Sequence, residues 1–290
     1  MKSPFFYLLL VVNVVLLGWG TYQALVVAPP EITMGDAQRI FYYHVPAATA
    51  ASILFGINFL ASVWYLVSRN AVADALAVAC AEVGVVFFGV VLVSGPIWAR
   101  YAWGTFWVWD ARLTTSLILW LLYVSYLVLR NSSESGSTSV LAASLAVFAA
   151  MDMPIVYMAN RWFPTQHPQP MIGTPNLDHN MQTVLLWNMA AFCMFGVMIS
   201  WFRYGIERTK QKIDQLHIQK ATAGSPAMAL PALLLFQMDD KLLREKAVQH
   251  QYMVIGYVAV WTIYIGYLLF LLVKLQKMKR EAASLGLKEN

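Results

Sequence analysis

The sequence predicts an all-α membrane protein, a polytopic helix bundle with six core transmembrane helices and one more transmembrane helix near the C-terminus. Of its 290 residues, 59% are hydrophobic and only 12% are charged, whereas a soluble domain carries roughly 25% charged residues. Several apolar runs reach the ~20 residues with which an α-helix crosses a bilayer. The alternating pattern that is typical of a membrane β-barrel is not seen.

Six spans are expected in the first part of the chain, and a seventh follows a polar stretch. The six cover about residues 5–28, 45–67, 72–97, 113–130, 139–158 and 181–202, and the seventh covers about 252–274. The first run is longer than the apolar core of a signal peptide, so we interpret it as a retained span. Cys80 and Cys193 lie inside apolar runs without a CxxC or CxxCH motif, which gives no support for a disulfide framework or covalent haem attachment.

This pattern divides the chain into three predicted parts. Residues 1–205 form a six-span membrane domain, residues 206–250 a polar linker, and residues 251–290 a single-span segment with a basic tail. The net charge of +5 comes from basic residues between and after the apolar runs. The positive-inside bias of membrane proteins explains this distribution, so we do not interpret the charge as a nucleic-acid-binding surface.

The distribution of basic residues also predicts the orientation. With the N-terminus inside, Lys2, Arg69, Arg130 and the basic linker all face the cytoplasm, as the positive-inside rule favours. The connections at 29–44, 98–112 and 159–180, which are rich in aromatic residues, proline or histidine, then share the outer face. Three segments that are distant in sequence are therefore expected to build one site on that face.

The seventh span does not fit this scheme. An odd number of spans sends the basic residues after it to the outside, and these are Lys274, Lys277, Lys279 and Arg280. Either that tail is an exception, or the apolar segment 227–236 dips into or crosses the membrane. This segment contains a proline and is too short for an ordinary span. The orientation of the last span stays open at this point.

The segment WARYAWGTFWVWDAR, residues 98–112, holds a dense cluster of aromatic side chains. Its predicted site residues are Trp98, Trp103, Phe106, Trp107 and Trp109. An aromatic belt at the membrane interface explains one or two such residues, but not this density. If the segment is helical, Trp103 and Trp107 lie one turn apart on a shared face. They would then form a slab suited to a large, flat aromatic ligand.

Charged residues flank this aromatic cluster. Arg100 and Arg112 lie on either side of it, and the arginine guanidinium group is well shaped for binding carboxylates. We expect Asp110 to orient an arginine or a protein partner. A flat aromatic ligand with carboxylate tails describes haem, whereas a quinone lacks the carboxylates.

Histidine residues on the same face are candidate metal ligands. His44 lies in FYYHVPAA, His167 lies in RWFPTQHPQP, and His179 follows shortly afterwards. Haem iron accepts histidine as an axial ligand, so two of these residues are expected to bind it from opposite sides. Spacing does not choose between His167 and His179 as the second ligand. Zinc fits less well, because no His, Cys and Asp cluster has close metal-ligand spacing.

Two acidic residues lie inside predicted spans. Glu82 belongs to the third span and Asp152 to the fifth, and charge buried in a membrane is costly and is usually functional or paired. Glu82 is the deeper of the two. We expect it to be protonated, to pair with an interior donor, or to have a specific role. Asp152 precedes Pro154 close to the outer helix end, where water can reach it.

WGTFWVWDARLT resembles the Trp-rich "WWD" signature of haem-handling proteins in cytochrome c maturation, and among them it most resembles the CcmC family of system I. FYYHVPAA and MPIVYMANRWFPTQH resemble two further segments of that family, and the similarity runs over about residues 5–205. This resemblance implies six spans with the Trp-rich segment on the periplasmic side of the bacterial inner membrane. It also implies that His44 and His167 are the axial ligands of a haem that is bound transiently and without covalent attachment.

The resemblance further implies a function and partners. Members of the family present haem to a periplasmic haem chaperone and work with the subunits of an ABC transporter. The tail from about residue 250 resembles the small single-span CcmD subunit of that system, which suggests a fusion of the two. We expect haem to be bound and transferred without chemistry on it, and therefore no enzyme. No P-loop is present, so any ATPase activity is assigned to a partner.

Three other functions compete with this prediction. A haem exporter or transporter subunit would show broken helices or polar residues at the midplane, for which Glu82 is the one candidate. A b-type membrane cytochrome would carry histidine pairs within its spans, and no histidine lies in the middle of a span. A structural assembly subunit would use the aromatic cluster to bind protein alone, and haem content distinguishes it from the haem-binding prediction.

Overall fold

The computed structural model of the protein describes residues 4–132, 136–174, 177–222 and 248–285. In these ranges the secondary structure is helical, apart from one isolated β-bridge between Glu31 and Gly35. The α-helices are α1 (Pro4–Tyr22), α2 (Phe41–Ser68), α3 (Ala71–Trp103), α4 (Ala111–Ser132), α5 (Gly136–Ala150), α6 (Asp152–Trp162), α7 (His179–Thr222) and α8 (Val248–Ser284). A π-helical turn, Gln23–Val27, extends α1, and a 3₁₀ turn, Asp36–Ile40, leads into α2.

Seven segments of the described chain are long and apolar enough to cross a membrane. They comprise α1 with its π-helical turn, α2 with its 3₁₀ turn, α3, α4, α5 together with α6, the first part of α7, and α8 from Val258 onward. The predicted fold class, six core spans and a C-terminal one, is therefore confirmed. Several helices are longer than predicted, and α7 continues as one helix into the expected linker as far as Thr222.

The fifth span is interrupted within the apolar region. α5 ends at Ala150 and α6 begins at Asp152, with Met151 in a turn between them. A proline ring clashes with the carbonyl group four residues earlier and cannot donate to it. For Pro154 that carbonyl belongs to Ala150, the residue at which α5 ends. The sequence therefore accounts for the break.

α3 is the central helix, and it packs against α2, α4, α7 and α8. Small residues permit this close packing, as they do at many helix interfaces in membranes. Gly84 lies directly against the ring of Phe55, which in turn stacks on Tyr123 of α4 with ring centroids 3.8 Å apart. Phe87 of α3 contacts Phe192 of α7 on the other side. This core holds α2 and α3 in a fixed relationship, and both helices lead to the Trp-rich segment.

Polar side chains join helices through backbone carbonyl groups inside the apolar layer. The amide of Asn13 on α1 donates to the carbonyl oxygen of Ala191 on α7 at 3.0 Å, and Asn58 on α2 donates to Ala77 on α3 at 2.8 Å. Interhelical hydrogen bonds of this type are worth about 0.6 kcal/mol each on average in membranes. They therefore set the register of neighbouring helices more than they set the total stability.

Buried and partly buried charges are paired at the end of the bundle away from the Trp-rich segment. Asp74 of α3 forms a bidentate ion pair with Arg130 of α4, with N–O distances of 2.7 and 2.8 Å. Glu82 of α3 accepts from Arg203 of α7 at 2.8 Å, and Arg203 also pairs with Glu207 at 2.8 Å. Of the roles expected for Glu82, pairing with an interior donor is therefore the one observed.

α8 packs along α3 in the opposite direction. The ring of Tyr264 lies 4.8 Å from the ring of Phe87. Further along α8, the hydroxyl of Tyr267 donates to Glu82 at 3.1 Å, and Lys274 lies 3.7 Å from the same carboxylate. Later residues of α8 therefore contact earlier residues of α3, which shows that the two helices are antiparallel.

α7 is also antiparallel to α3, because Phe87 contacts Phe192 and the earlier residue Glu82 pairs with the later residue Arg203. α8 therefore runs parallel to α7. The basic tail after Lys274 consequently lies at the same end of the bundle as Thr222, the last residue of α7, and Ser68, the last residue of α2. The sequence leaves the orientation of the last span open, and of the two alternatives the structure does not have the tail on the other side of the bundle. The apolar segment 227–236 lies outside the described residues.

Candidate functional site

The segments expected to build one site do meet at one end of the bundle, which we call the site face. It is formed by the start of α2, the end of α3, the connection 104–110 and the connection 163–174. Asp110 hydrogen-bonds to Thr165 and Gln166, which joins the two connections. His44 hydrogen-bonds to Ser94, which joins α2 to α3. The convergence of distant segments is thus a property of the structure.

His44 lies in the first turns of α2, with its side chain directed toward α3. Its Nδ1 lies 3.0 Å from Oγ of Ser94. The Ser94 hydroxyl also donates to the carbonyl oxygen of Val90 at 2.7 Å. Gly95 follows Ser94 and packs against the imidazole so closely that a Cβ atom there would lie 3.2 Å from Cε1 of His44. A hydrogen bond and a glycine contact therefore hold this ring against α3.

His167 lies in the connection after α6 and is partly buried. Its Nδ1 donates to the carbonyl oxygen of Pro168 at 2.9 Å, and the amide of Asn160 donates to the same carbonyl at 3.0 Å. Burial, and then the positive charge of Arg112, lower the pKa of His167 below its ordinary value, which is about 6.5. The imidazole is therefore neutral at neutral pH, the form in which histidine binds a metal.

The two histidines and one arginine lie close enough to interact. His44 interacts electrostatically with His167, and Arg112 interacts with both imidazoles. His179, the other candidate ligand, is the exposed first residue of α7. The described structure thus brings His44 together with His167, the residue selected by the family resemblance.

Asp110 connects the Trp-rich segment to the segment that carries His167. One carboxylate oxygen accepts from the backbone N–H of Leu113 at 2.9 Å, as an N-cap residue does at the start of a helix. The other oxygen accepts from the hydroxyl of Thr165 at 2.6 Å and from the N–H of Gln166 at 3.1 Å. Since Gln166 directly precedes His167, Asp110 positions that ligand candidate relative to α4.

The Trp residues form two edge-to-face pairs. α3 ends at Trp103 because Gly104 adopts a left-handed conformation with φ of 75°, which favours glycine. Trp98 and Trp103 lie 5.3 Å apart with an interplanar angle of 82°, and Trp107 and Trp109 lie 5.8 Å apart at 74°. The expected slab with Trp103 and Trp107 on one helical face is therefore wrong, because the helix stops between them.

The members of this aromatic cluster differ in exposure. The residues Trp109 and Phe106 are 76% and 44% exposed, whereas Nε1 of Trp107 is buried and has no hydrogen-bond partner in the described structure. An unpaired N–H group of this kind costs free energy unless a ligand or water accepts from it. Trp107 therefore offers a donor to a ligand, while Trp109 and Phe106 offer an apolar surface.

The two arginines have different surroundings. Arg112 is partly buried, donates to the carbonyl oxygen of Val156 on α6 and interacts with both histidines. Arg100 is exposed, lies over the ring of Phe106 at 5.8 Å and donates to the carbonyl oxygen of Gly104. Arg112 thus lies within the histidine site, and Arg100 lies at its aromatic rim.

Asp152 and Glu82 lie away from the histidine pair. Asp152 begins α6 at the break in the fifth span, and its Oδ2 is buried without a hydrogen-bond partner in the described part of the chain. Glu82 lies at the junction of α3, α7 and α8. In the described residues, neither carboxylate forms a hydrogen bond or ion pair with His44 or His167.

Sequence reasoning missed several residues of the site. Ser94, Gly95, Asn160 and Thr165 were not expected, because each acts through a contact with a residue far away or in an irregular connection. The role of Asp110 had a detectable signal, since an aspartate directly before an apolar helix is a typical N-cap. Gly104 could also have been identified, because glycine commonly follows the last residue of a helix.

These side chains fit haem as a ligand. No group of three or more His, Cys, Asp or Glu residues in the described ranges is arranged to hold a metal ion. Haem iron has four ligands from the porphyrin and needs only axial ligands from the protein. His44 and His167 can supply these ligands, Arg112 and the Trp107 N–H suit carboxylates, and the aromatic side chains suit a porphyrin edge.

The fold and this site define a class: a polytopic helical membrane protein with a histidine pair and a Trp-rich segment at one end of its bundle. The sequence model of the CcmC family, described as "Heme exporter protein C", matches residues 1–219. The "Heme exporter protein C" of Bradyrhizobium diazoefficiens is 32% identical over 214 residues, which cover 72% of this chain and 81% of that protein.

Two further relatives carry the same name. The protein from Haemophilus influenzae is 32% identical over 213 residues, covering 72% of this chain and 85% of the relative. The protein from Escherichia coli K12 is 31% identical over 196 residues, covering 67% and 80% of the two chains. The chain belongs to the CcmC family of multi-pass membrane proteins. The matched residues include the whole site face.

Proposed function

We propose that the protein binds haem at its site face and passes it to a soluble haem chaperone during the maturation of c-type cytochromes. The observation that carries this proposal is the meeting of His44, His167 and Arg112 at one end of the bundle. Two imidazoles and a guanidinium group match the two chemical features of haem, its iron and its carboxylates. The names of the relatives support a role in haem handling.

Each part of the site has a separate task in this proposal. His44 and His167 bind the iron as axial ligands. Arg112 and the N–H of Trp107 meet the propionate groups, with Arg100 at the rim, and Trp98 and Trp103 pack on the porphyrin. Asp110 holds the segment with His167 in place. The exposed rings of Trp109 and Phe106 contact the chaperone that takes the haem.

The cargo is a b-type haem that is held reversibly. Cys80 is buried in the bundle, Cys193 is partly buried on α7, and both thiols are free. The Trp-rich and His167 segments contain no cysteine, so the bonds to iron and the porphyrin contacts hold the cargo. Because His167 lies in a connection and His44 in a helix, exchange at His167 is the step that releases haem. No reaction on the porphyrin is required.

In its proposed role, the protein lies in the bacterial inner membrane with its site face toward the periplasm. The basic ends of α2, α4 and α8 then lie in the cytoplasm, as the positive-inside rule favours. ABC transporter subunits of the maturation system are the proposed membrane partners. α8, within the part 251–290, acts as a CcmD-like subunit in cis, and its contacts with Glu82 and Phe87 support this role.

Haem content and haem delivery together test the proposal. Protein purified in lipid nanodiscs is expected to carry haem with a low-spin visible spectrum and to deliver it to a purified apo-chaperone. The double variant His44→Ala, His167→Ala is expected to lose both properties, whereas His179→Ala, an exposed control, retains them. Full haem content with a low-spin spectrum in the double variant would contradict the assignment of the ligands.

A further inference from the structure

We infer that Ser94 is a positioning residue that fixes the tautomer of His44, so that Nε2 of this imidazole faces the ligand. The inference rests on the proposed function for its link to haem, but the hydrogen-bond geometry stands on its own. Ser94 lies on α3 and is fully buried, and it contacts His44 across the α2–α3 interface. It touches neither the iron nor the porphyrin in this account, and it acts through the imidazole.

The number of hydrogen atoms available to Ser94 determines the direction of its bond to His44. A serine hydroxyl has one hydrogen to donate. The Oγ atom lies 2.7 Å from the carbonyl oxygen of Val90, and two oxygens at that distance need a hydrogen between them because the carbonyl can only accept. The single hydrogen is therefore used there. At 3.0 Å from the same Oγ, Nδ1 of His44 must carry the hydrogen and donate it.

A neutral imidazole with a hydrogen on Nδ1 has its free electron pair on Nε2. His44 therefore presents one defined nitrogen to a metal. Histidine ligands of metals almost always donate their other ring N–H to a protein group, which fixes the ring orientation and raises the basicity of the ligand. Ser94 supplies that acceptor on the side of α3, inside the bundle, where water does not replace it.

His167 reaches the same state by a different route. Its Nδ1 lies 2.9 Å from the carbonyl oxygen of Pro168, which can only accept, and 3.3 Å from the amide nitrogen of Asn160. The shorter contact favours a hydrogen on Nδ1. Nδ1 of His167 therefore also donates, and its Nε2 is also free. Two imidazoles from separate segments thus share one tautomer, which is the arrangement that two axial ligands of one iron require if both bind through Nε2.

Gly95 restricts the position of the His44 ring in addition to its tautomer. A Cβ atom at Gly95 would lie 3.2 Å from Cε1 and 3.7 Å from Nδ1 of His44. The 3.2 Å distance is shorter than a normal van der Waals contact. Cε1 lies between the two ring nitrogens, so pressure on it turns Nε2 away from its present direction. Gly56 on α2 is a matched control, because nothing lies within 4 Å of a Cβ there.

Nitrogen NMR of the haem-free protein tests the tautomer directly. Protein labelled with ¹⁵N-histidine in nanodiscs is compared with His44→Gln to assign the His44 signals. We expect His44 to carry its hydrogen on Nδ1 in the wild type, and Ser94→Ala to give a mixture of both tautomers. A wild-type His44 with its hydrogen on Nε2, or an unchanged His44 in Ser94→Ala, would overturn the inference, and neither result depends on haem binding.

Haem titration then tests the consequence for the ligand. Loss of such a supporting hydrogen bond typically weakens metal binding by about 10–100-fold, so we expect the haem Kd of Ser94→Ala to rise by that factor, with a larger high-spin fraction. Ser94→Thr, which keeps a hydroxyl group, is expected to restore the wild-type spectrum. Gly95→Ala should change the spectrum and Gly56→Ala should not.

Two outcomes separate this inference from the proposed function. A wild-type protein that has Nδ1–H on His44 but binds no haem would contradict the proposed function and leave the tautomer assignment intact. A protein that binds haem through His44 with the same Kd and spectrum in Ser94→Ala would retain the proposed function and overturn the role of Ser94. Ser125→Ala on α4, where the hydroxyl makes only a bond to its own helix, is the control for serine removal.

Discussion

Asp110 and Thr165 are joined by a 2.6 Å hydrogen bond across 55 positions of sequence. This bond links the start of α4 to the connection that carries His167. The same carboxylate caps α4 through the N–H of Leu113, so the segment with the ligand is fixed to the end of a helix that is anchored in the bundle. The capping role of Asp110 could be predicted from its position before an apolar helix, but its bond to Thr165 could not.

The first prediction concerns this hydrogen bond. Thr165→Val removes the hydroxyl, and Asp110→Asn replaces an acceptor by a donor while it keeps a residue suited to cap α4. Each variant is expected to weaken haem binding because His167 loses its fixed position. In a double-mutant cycle the two changes should show a coupling of about 0.5–3 kcal/mol in haem binding free energy.

Thr183→Val is the control for this cycle, since its hydroxyl bonds only to the carbonyl of His179 in its own helix. It should leave haem affinity unchanged. Strictly additive effects of Asp110→Asn and Thr165→Val would show that the bond does not position His167.

The second prediction concerns pH. Iron competes with a proton for the imidazole, and burial together with Arg112 lowers the pKa of His167. Haem affinity should therefore stay constant as pH falls to the ordinary histidine pKa of about 6.5, and should decline only at lower pH. Arg112→Gln removes a positive charge, so it should raise the pKa of His167 and move the decline to higher pH.

Equilibrium haem titrations at a series of pH values measure this effect. Arg112→Lys keeps the charge, so its haem affinity should decline at the same pH as that of the wild type. A decline at the same pH in Arg112→Gln and the wild type would contradict the electrostatic role of Arg112.

The third prediction concerns stability. Arg203 is 2% exposed and forms ion pairs with both Glu82 and Glu207. Removing one partner of a buried ion pair leaves an unpaired charge and typically costs about 3–5 kcal/mol. Arg203→Leu is therefore expected to lower the Tm of the detergent-solubilised protein strongly, and the exposed control Lys212→Ala should not. The triple change Arg203→Leu, Glu82→Leu, Glu207→Leu should recover much of the loss, and failure to do so would contradict simple charge pairing.

The fourth prediction concerns the direction of α8. Because α8 runs parallel to α7, cysteines introduced at Ser284 and Ser68 should lie on the same side of the membrane, and a cysteine at Gln169 should lie on the other. In sealed vesicles of one orientation, a membrane-impermeant maleimide should label either Gln169→Cys alone or the other two together. Labelling of Ser284→Cys together with Gln169→Cys would show that α8 has the opposite direction.

The helices could be predicted from sequence more completely than their arrangement. Hydropathy predicted all seven spans because membrane crossing depends on local composition and length. The direction of α8 could not be predicted by counting spans, because it depends on contacts of Tyr264, Tyr267 and Lys274 with α3. These contacts are tertiary, and no local pattern in the sequence encodes them.

For the site, too, the residues could be predicted from sequence more completely than their arrangement. His44, the Trp-rich segment and Arg112 could be predicted as a group, because unusual residues on one face of a membrane protein indicate a binding site. The edge-to-face packing of the Trp rings could not, since Gly104 ends α3 within the segment. Ser94 is an ordinary serine in an apolar helix, and its partner His44 is 50 positions away, so only the packed structure shows its role.

The central claim is that His44 and His167 bind the two axial positions of one haem, and single glycine variants test it most directly. Electron paramagnetic resonance of the ferric wild-type protein should show one low-spin species with two histidine ligands. His44→Gly and His167→Gly should each give a high-spin species that returns to low spin when imidazole is added, because the ligand fills the space left by the side chain. A low-spin spectrum in either variant without imidazole would contradict the claim.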